Sequence, residues 1–451
     1  MTNSGSQSDG RSHRIDAAEL KRGFEDLHPP LSRSAALIAA DRCYFCFDAP
    51  CTTACPTGID IPAFIQKIRS DNVRGSARTI LEENIMGGMC ARVCPTEVLC
   101  EEACVRNTHE EAPVEIGLLQ RYATDPVFAA GTQLFARAPS TGKRVAVVGG
   151  GPAGLSCAHR LATLGHDVVV FNRDEKPGGL NEYGIAAYKT VDDFAQKEVA
   201  WILSIGGIEL RNHQAIGEDI TLQELRDSYD AVFIGVGLGS TNELGLANES
   251  VDGVDDAIEY IAELRQASDL GTLPVGQRVV VIGGGMTAID IAVQSKRLGA
   301  EHVDIVYRRG PEQMGASRYE QELAQTNGVN IHHWGQPAEL LGDDHVTTIR
   351  FERTELDGNG HVTGTGAYFE LSADTVFKAI GQKLGAEIVS GEIQGLEISN
   401  GRIVADEHGR TSLPGVWAGG DCVADGDDLT VSAVQHGKVA AIDIDRKLKR
   451  G

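Results

Sequence analysis

No apolar run in the chain approaches the ~18–20 residues that a bilayer-spanning helix needs, which excludes a helical membrane protein. Met1 to Gly10 is rich in Ser, Gly and Asn and lacks the basic-then-apolar order of a secretory leader. A soluble, cytoplasmic protein is expected. Positive charge is scarce: 41 Lys and Arg stand against 64 Asp and Glu, a formal net charge of −23. Such a surface repels nucleic acid and anionic membranes, so neither is an expected partner. With 42% hydrophobic and 23% charged residues, a disordered or fibrous chain is excluded. A length of 451 residues suffices for about two to four domains.

Two residue types are in excess. Glycine reaches 53 residues, in short clusters rather than at every third place, which excludes collagen and suggests phosphate-cradling turns. Cysteine numbers 10, and eight of these lie between Cys43 and Cys104, leaving Cys157 and Cys422 isolated. Crowding of this kind in a cytoplasmic chain favours metal ligation over disulfides.

Residues 1–30 are polar and end in Pro29-Pro30, which predicts a loosely packed arm. Residues 31–138 show short helical stretches, Ser34 to Ala40, Ile61 to Asp71 and Gly75 to Asn84, broken by cysteine-rich turns and without strand alternation. A small α-helical cluster-binding domain is expected there, followed by a linker in the Gly/Pro/Ser/Thr stretch Gly131 to Gly142. The strand Arg144 to Val148, a glycine turn, a helix to Leu164 and the strand Asp167 to Phe171 form a βαβ unit. The same pattern returns with Arg278 to Ile282, a glycine turn, a helix to Leu298 and Val303 to Tyr307. Two copies of one unit predict two dinucleotide sites. Residues 139–242 and 376–451 are expected to form the first domain and 243–375 the second, inserted, with the strand Thr375 to Ile380 as the return from it.

Gly149, Gly151 and Gly154 satisfy the G-x-G-x-x-G spacing, in which glycine lets the backbone approach a pyrophosphate at a helix N-terminus. An acidic residue is expected at the end of the second strand to bond ribose hydroxyls, but Asn172 stands there. An amide both accepts from and donates to a hydroxyl, which predicts a modified site. The second turn carries Gly283, Gly285 and Ala288, and its second strand ends in Tyr307-Arg308-Arg309 without an acid. An Arg pair suits a 2′-phosphate and leans to NADPH; two solvated surface arginines are the plain alternative.

The spacing Cys43-x₂-Cys46-x₄-Cys51-x₃-Cys55-Pro56 resembles the bacterial ferredoxin run, and Cys94-Pro95 opens Cys94-x₅-Cys100-x₃-Cys104. Two cubanes need eight ligands, and counting thiolates alone would enlist Cys90 as the eighth. Zinc is the competing reading of Cys43-x₂-Cys46. Near the C-terminus, Val416 to Asp421 followed by Thr430 to Lys438 resembles the second signature of two-dinucleotide-fold flavoproteins. That likeness implies that Asp421 bonds a ribityl hydroxyl, that the following helix points at a flavin, and that the first glycine turn is the FAD site.

Together, the block Cys43 to Cys104, the stretch Pro113 to Gln120, both glycine turns and the Gly420 to Lys438 signature resemble the electron-input half of dihydropyrimidine dehydrogenase, over about residues 35–451. The resemblance implies an α/β two-dinucleotide-binding-domain flavoprotein, tandem Rossmann-like, with an N-terminal α-helical iron–sulfur domain. It implies FAD, two [4Fe–4S] clusters and NAD(P)H as substrate. The first cluster would take Cys43, Cys46, Cys51 and Cys104; the second, Cys55, Cys94, Cys100 and Gln120, leaving Cys90 a buried neighbour. FAD contacts carried over are Val93, Gly149, Gly151, Ala153, Gly154, Asn172, Leu180, Lys189, Gly420, Asp421, Thr430 and Val431, with Lys189 the flavin-proximal cation that stabilises the reduced ring. NAD(P) contacts carried over are Gly283, Gly285, Thr287, Ala288, Arg308, Arg309, Ala379 and Gly381.

The small subunit of glutamate synthase shares the flavin and nicotinamide folds and the first cysteine run, but Cys94-x₅-Cys100 and Gln120 favour the pyrimidine family. Met286 and Ala186 depart from the usual Asn and Pro. The implied activity converts hydride to single electrons: NAD(P)H reduces FAD, and the clusters carry electrons onward. The implied partner is a PreA-type catalytic subunit that carries FMN and reduces uracil or thymine to the 5,6-dihydropyrimidine, since no further domain is available here for that site. A glutamate-synthase-like or transhydrogenase-type subunit and a non-catalytic redox sensor are the rival readings. NADH and NADPH both stay open, because the bacterial members are associated with NADH.

Overall fold

The computed structural model describes residues 15–110, 112–385, 395–424 and 426–450. It divides into two compact units, and the 1–14 part of the expected arm lies outside the described residues.

The larger unit comprises Leu27–Glu182, Lys189–Ser240 and Lys383–Gly451. Its N-terminal part is helical because each segment carries a cap and an apolar stripe. Ser32 caps Arg33–Asp41, Asp60 caps Ile61–Arg69 and Asn72 caps Val73–Glu83, each side chain accepting a backbone N–H of the first turn. Ile61, Phe64, Ile65 and Ile68 recur at helical spacing and are buried. They join Ala36, Ile80 and Leu119, the last from the helix Ile116–Ala129, in one core. Cys43, Cys51, Cys55 and Cys104 pack against that core and Cys100 lies within it. At about 1.5–3 kcal/mol per fully buried large apolar side chain, it is a substantial mount for the cysteine turns.

The rest of this unit is a parallel sheet. Its strands are β1 (Arg144–Val148), β2 (Asp167–Phe171), β3 (Ile208–Arg211), β4 (Ala231–Ile234) and, much later in the chain, Val416–Ala418. The order is Val416–Ala418, β4, β1, β2, β3, with Arg144 in register with Asp167. Ala146, Val148, Val169 and Phe171 face one core, and Val145, Val147, Val168 and Val170 the other. Burial on both faces is why β1 and β2 read as continuous apolar runs.

The smaller unit comprises Met1–Asp26, Tyr183–Tyr188 and Thr241–Gln382. A second parallel sheet runs through it in the order Val254–Asp256, Thr375–Ala379, Arg278–Gly283, His302–Tyr307, Asn330–His333. Thr375–Ala379 therefore pairs inside the second sheet, in register with Val279 to Gly283 through residue 379, rather than opening the return to the first. The expected boundary at 376 moves past Gln382, because a strand flanked by two parallel partners is worth more buried than as a linker. Unforeseen was an antiparallel sheet of Gly335–Leu341, Thr348–Leu356 and Val362–Ser372. The expected loose arm also contains a helix, Ala17–Gly23, capped by Asp16 and tied down where Arg297 donates to the Gly23 carbonyl at 2.8 Å. Among the described residues no helix is long and apolar enough to cross a membrane.

Candidate functional site

In the larger unit the first glycine turn joins β1 to the helix Pro152–Thr163. Gly149 has φ +104°, and a Cβ there would stand 2.2 Å from the Gly235 carbonyl oxygen. A Cβ on Gly154 would stand 1.9 Å from the Gly149 carbonyl oxygen, so the third glycine is what lets helix and turn touch. Gly151 is the N-cap and makes no side-chain cap bond, leaving first-turn N–H groups for an anion. Ala153 is buried, and the C-terminal helix Thr430–Leu448 crosses against it at Gly437, where a Cβ would lie 2.1 Å from the Ala153 carbonyl oxygen.

Asn172, at the end of β2, lies against the first glycine turn, its Oδ1 2.7 Å from where a Cβ on Gly150 would stand. It is buried, and its Nδ2 donates to the carbonyls of Asp174 at 2.8 Å and Lys176 at 3.1 Å and to Asn212 Oδ1 at 3.1 Å. Those bonds brace the following loop and engage the amide nitrogen. The same loop brings Gly178 onto the turn, its N–H donating to the Gly150 carbonyl at 2.7 Å.

Gly420 has φ +91° and leads into Asp421, whose Oδ1 would lie 3.3 Å from a Cβ on Gly237. Burial, reinforced by Asp428, pushes the Asp421 carboxyl up to about 6. A desolvated carboxylate in that position suits a hydroxyl donor. Thr430 and Val431 begin the 19-residue helix Thr430–Leu448, which has no side-chain cap. Thr430 Oγ1 donates to Asn181 Oδ1 at 2.7 Å, and Asn181 in turn touches Met86 Sδ. Leu180 is exposed, while Lys189 and Val93, the last residue of the helix Gly87–Val93, are half-buried. The tight turn, the desolvated acid and the uncapped helix start together fit a dinucleotide flavin.

The cysteines separate in two. Cys43, Cys46, Cys51 and Cys104 border one small cavity with Ile61, Ile65 and Val114. Cys90, Cys100 and Cys55, together with Glu97, are the titratable groups close enough to act on Cys94. Burial pushes the Cys51 thiol up to about 11 and raises Cys43, Cys94 and Cys100 as well. Thiols so desolvated need a bound cation to ionise. Among the described residues no three Cys, His, Asp or Glu converge closely enough to hold a single metal ion. Gln120 is buried, and its Nε2 donates to the carbonyl of Gly87, on the helix that leads into Cys94, at 2.7 Å; its oxygen is the atom a metal would take. Cys90 is buried in the same region.

Glu198 was missed in the sequence. It is fully buried on the helix Phe194–Leu203, and its Oε1 accepts the N–H groups of Gly88 and Met89. Desolvation pushes its carboxyl up to about 8, opposed by those two N–H groups and by Arg92. A carboxylate on the stripe Phe194, Glu198, Trp201, Ile202 was the available signal.

In the smaller unit Gly283 has φ +148°, with a would-be Cβ 2.2 Å from the Ala379 carbonyl oxygen. Gly285 is the uncapped N-cap of the helix Met286–Arg297, which Thr287 and the buried Ala288 continue. Gly284 lies under the Tyr307 ring, and Gly381 has φ +85°. Arg308 is exposed and Arg309 half-buried, their carbonyls bonded by Thr354 Oγ1 and the Trp334 N–H. Asp290 and Gln294 on that helix accept the N–H groups of Ala186 and Ala187.

Residues 143–437 match the family described as pyridine nucleotide-disulphide oxidoreductase, and residues 20–132 match dihydropyrimidine dehydrogenase domain II, 4Fe-4S cluster. The chain is 36% identical over 440 residues to the glutamate synthase [NADPH] small chain of Escherichia coli (strain K12), covering 93% of this chain and 92% of that one. It is 33% identical over 418 residues to the NAD-dependent dihydropyrimidine dehydrogenase subunit PreT of the same organism, covering 93% and 95%. Among solved structures, Mycobacterium tuberculosis FprA in complex with NADPH shares the fold at TM-score 0.57 and 22% identity, over 69% of this chain and 85% of that one.

Proposed function

The chain belongs to the pyridine nucleotide-disulphide oxidoreductase family, and from that premise we propose that it is the electron-input subunit of a dihydropyrimidine dehydrogenase, passing electrons from NAD(P)H to a partner that reduces uracil or thymine. The coarser activity, an NAD(P)H-dependent flavin and iron–sulfur oxidoreductase subunit, follows from the two family matches. FAD, when bound, converts the hydride pair of a nicotinamide into single electrons.

The observation that carries the electron-relay reading is the division of cysteines into two sets on one helical core, which supports two [4Fe–4S] clusters; the pyrimidine partner rests on the Cys94-x₅-Cys100 spacing, Gln120 and the similarity to PreT. Cys43, Cys46, Cys51 and Cys104 would hold one, and Cys55, Cys94, Cys100 and Gln120 the other. Gly149, Gly151 and Gly154 would admit the flavin pyrophosphate, Asp421 would orient the ribityl chain, and the start of Thr430–Leu448 would face negative charge on the ring. Lys189 and Val93 are proposed to border the flavin. Gly283, Gly285, Thr287, Ala288, Ala379 and Gly381 would cradle the nicotinamide dinucleotide, with Arg308 and Arg309 at its ribose end.

A glutamate-synthase-type partner is the second reading, favoured by the 36% identity to that small chain. Co-purification with each candidate large subunit, followed by NAD(P)H-dependent uracil reduction and glutamate formation assays, separates them. Restored uracil reduction is expected; glutamate formation instead overturns the proposal.

A further inference from the structure

A cleft of about 560 Å³ opens in the larger unit between the helix Val73–Glu83 of the cysteine-bearing bundle and the helix Pro152–Thr163 of the flavin fold. His159 lies seven residues into the latter helix, about 10 Å along its axis from the glycine turn.

The charges around the cleft do not cancel. Arg78 pairs with Glu82 at 2.8 Å and Lys438 with Glu83 at 2.8 Å. Arg160 is also on the wall, and its Nη2 donates to a neutral acceptor, the Glu82 carbonyl, at 2.7 Å. Three cations therefore meet two carboxylates, and the wall is positive.

His159 supplies the second feature. Its ring stacks on Trp201 with centroids 6.4 Å apart and an interplanar angle of 17°, and meets Phe135 edge-on at 5.6 Å. Burial drops its pKa to about 3, so the imidazole is neutral. Its Nε2 is buried and has no hydrogen-bond partner among the described residues. A nitrogen desolvated in this way and left unmatched is unfavourable, and His159 is one of the residues that line the positively charged cleft.

We propose that this cleft binds a small organic anion, its carboxylate or phosphate held by Arg160, a polar group bonded to His159 Nε2 and its apolar body lying on Phe135 and Leu81. The volume is of the order seen for small-molecule sites. A ligand there contacts both helices at once, so binding raises the unfolding temperature.

The test titrates the flavin- and iron-loaded protein with phenyl phosphate and with benzoate, following tryptophan fluorescence, which the Trp201–His159 stack makes sensitive, and the thermal midpoint. A saturable response to at least one probe is expected. Arg160→Gln is expected to weaken it about tenfold through loss of a charge-assisted bond, Arg160→Lys to retain most of it, and His159→Phe, which keeps the stacking, to weaken it severalfold. Flavin absorbance checks that each variant is folded. No saturable response below about 10 mM with either probe, or undiminished binding in Arg160→Gln, overturns the site. Inorganic phosphate binding as tightly as phenyl phosphate overturns the organic-anion assignment.

Discussion

Glu198 accepts the backbone N–H of Gly88 at 2.9 Å and shares the same oxygen with Met89 at 3.0 Å. A side chain of the flavin fold thereby caps the start of the helix Gly87–Val93, which leads directly into Cys94. Gly88 is obligatory at this contact, because a Cβ there would approach Phe128 at 2.4 Å and Phe194 at 2.6 Å.

Glu198→Ala strands two buried N–H groups at about 1–3 kcal/mol each, whereas Glu198→Gln keeps a carbonyl acceptor. The pH dependence distinguishes the carboxylate from the amide. With its folded value raised from 4.5 to about 8, the native state holds a proton that the unfolded chain has released. Stability from this group is complete below the unfolded value and falls as pH rises through the folded one. Melting temperatures across that window should decline in the wild type and stay flatter in Glu198→Gln; parallel curves would refute the assignment.

Lys438 donates to the Thr57 carbonyl at 2.9 Å and to Glu83 Oε2 at 2.8 Å, joining the C-terminal helix to the cysteine bundle. Because the Glu83 side chain is 47% exposed, its share is screened. Lys438→Met is expected to cost about 1–3 kcal/mol and to lower the calorimetric midpoint.

Iron content tests the cysteine division. The wild type should hold about eight irons per chain and Cys51→Ser about four. Cys90→Ala should keep the wild-type count while Gln120→Ala lowers it; the reverse result would assign the second cluster to Cys90.

The two glycine turns differ at their third position. Gly154→Ala forces a Cβ to within 1.9 Å of the Gly149 carbonyl oxygen, so the purified protein should lose FAD absorbance. Ala288, already an alanine, sits buried in the second turn, and Ala288→Gly should leave FAD in place.

Arg308→Ala combined with Arg309→Ala should raise KM for NADPH about tenfold or more while leaving NADH little changed. Equal effects on both would remove the 2′-phosphate role.

The glycine turns, the flanking apolar strands and the cysteine spacing were legible in the residues because each is local: φ above zero, burial on both faces and short ligand spacings all leave marks within a few positions. Cys104 beside Cys43 was available only through family resemblance, since their proximity depends on the bundle core that folds between them. Asn172 shows what local reading leaves out: the loop at Asp174 and Lys176 closes back on its amide nitrogen, a contact its place at the end of β2 did not announce. Glu198 and Gly437 reach partners far along the chain, and Thr375–Ala379 reads equally as a return strand or an inner one until its neighbours are known. The sequence by itself determined which backbone turns can admit a dinucleotide and that the cysteines serve metal. Only the tertiary structure decided which cysteines share a cavity, which sheet takes the Thr375–Ala379 strand and which carboxylate caps the helix before Cys94, because each of those depends on burial and on partners that sequence proximity does not supply.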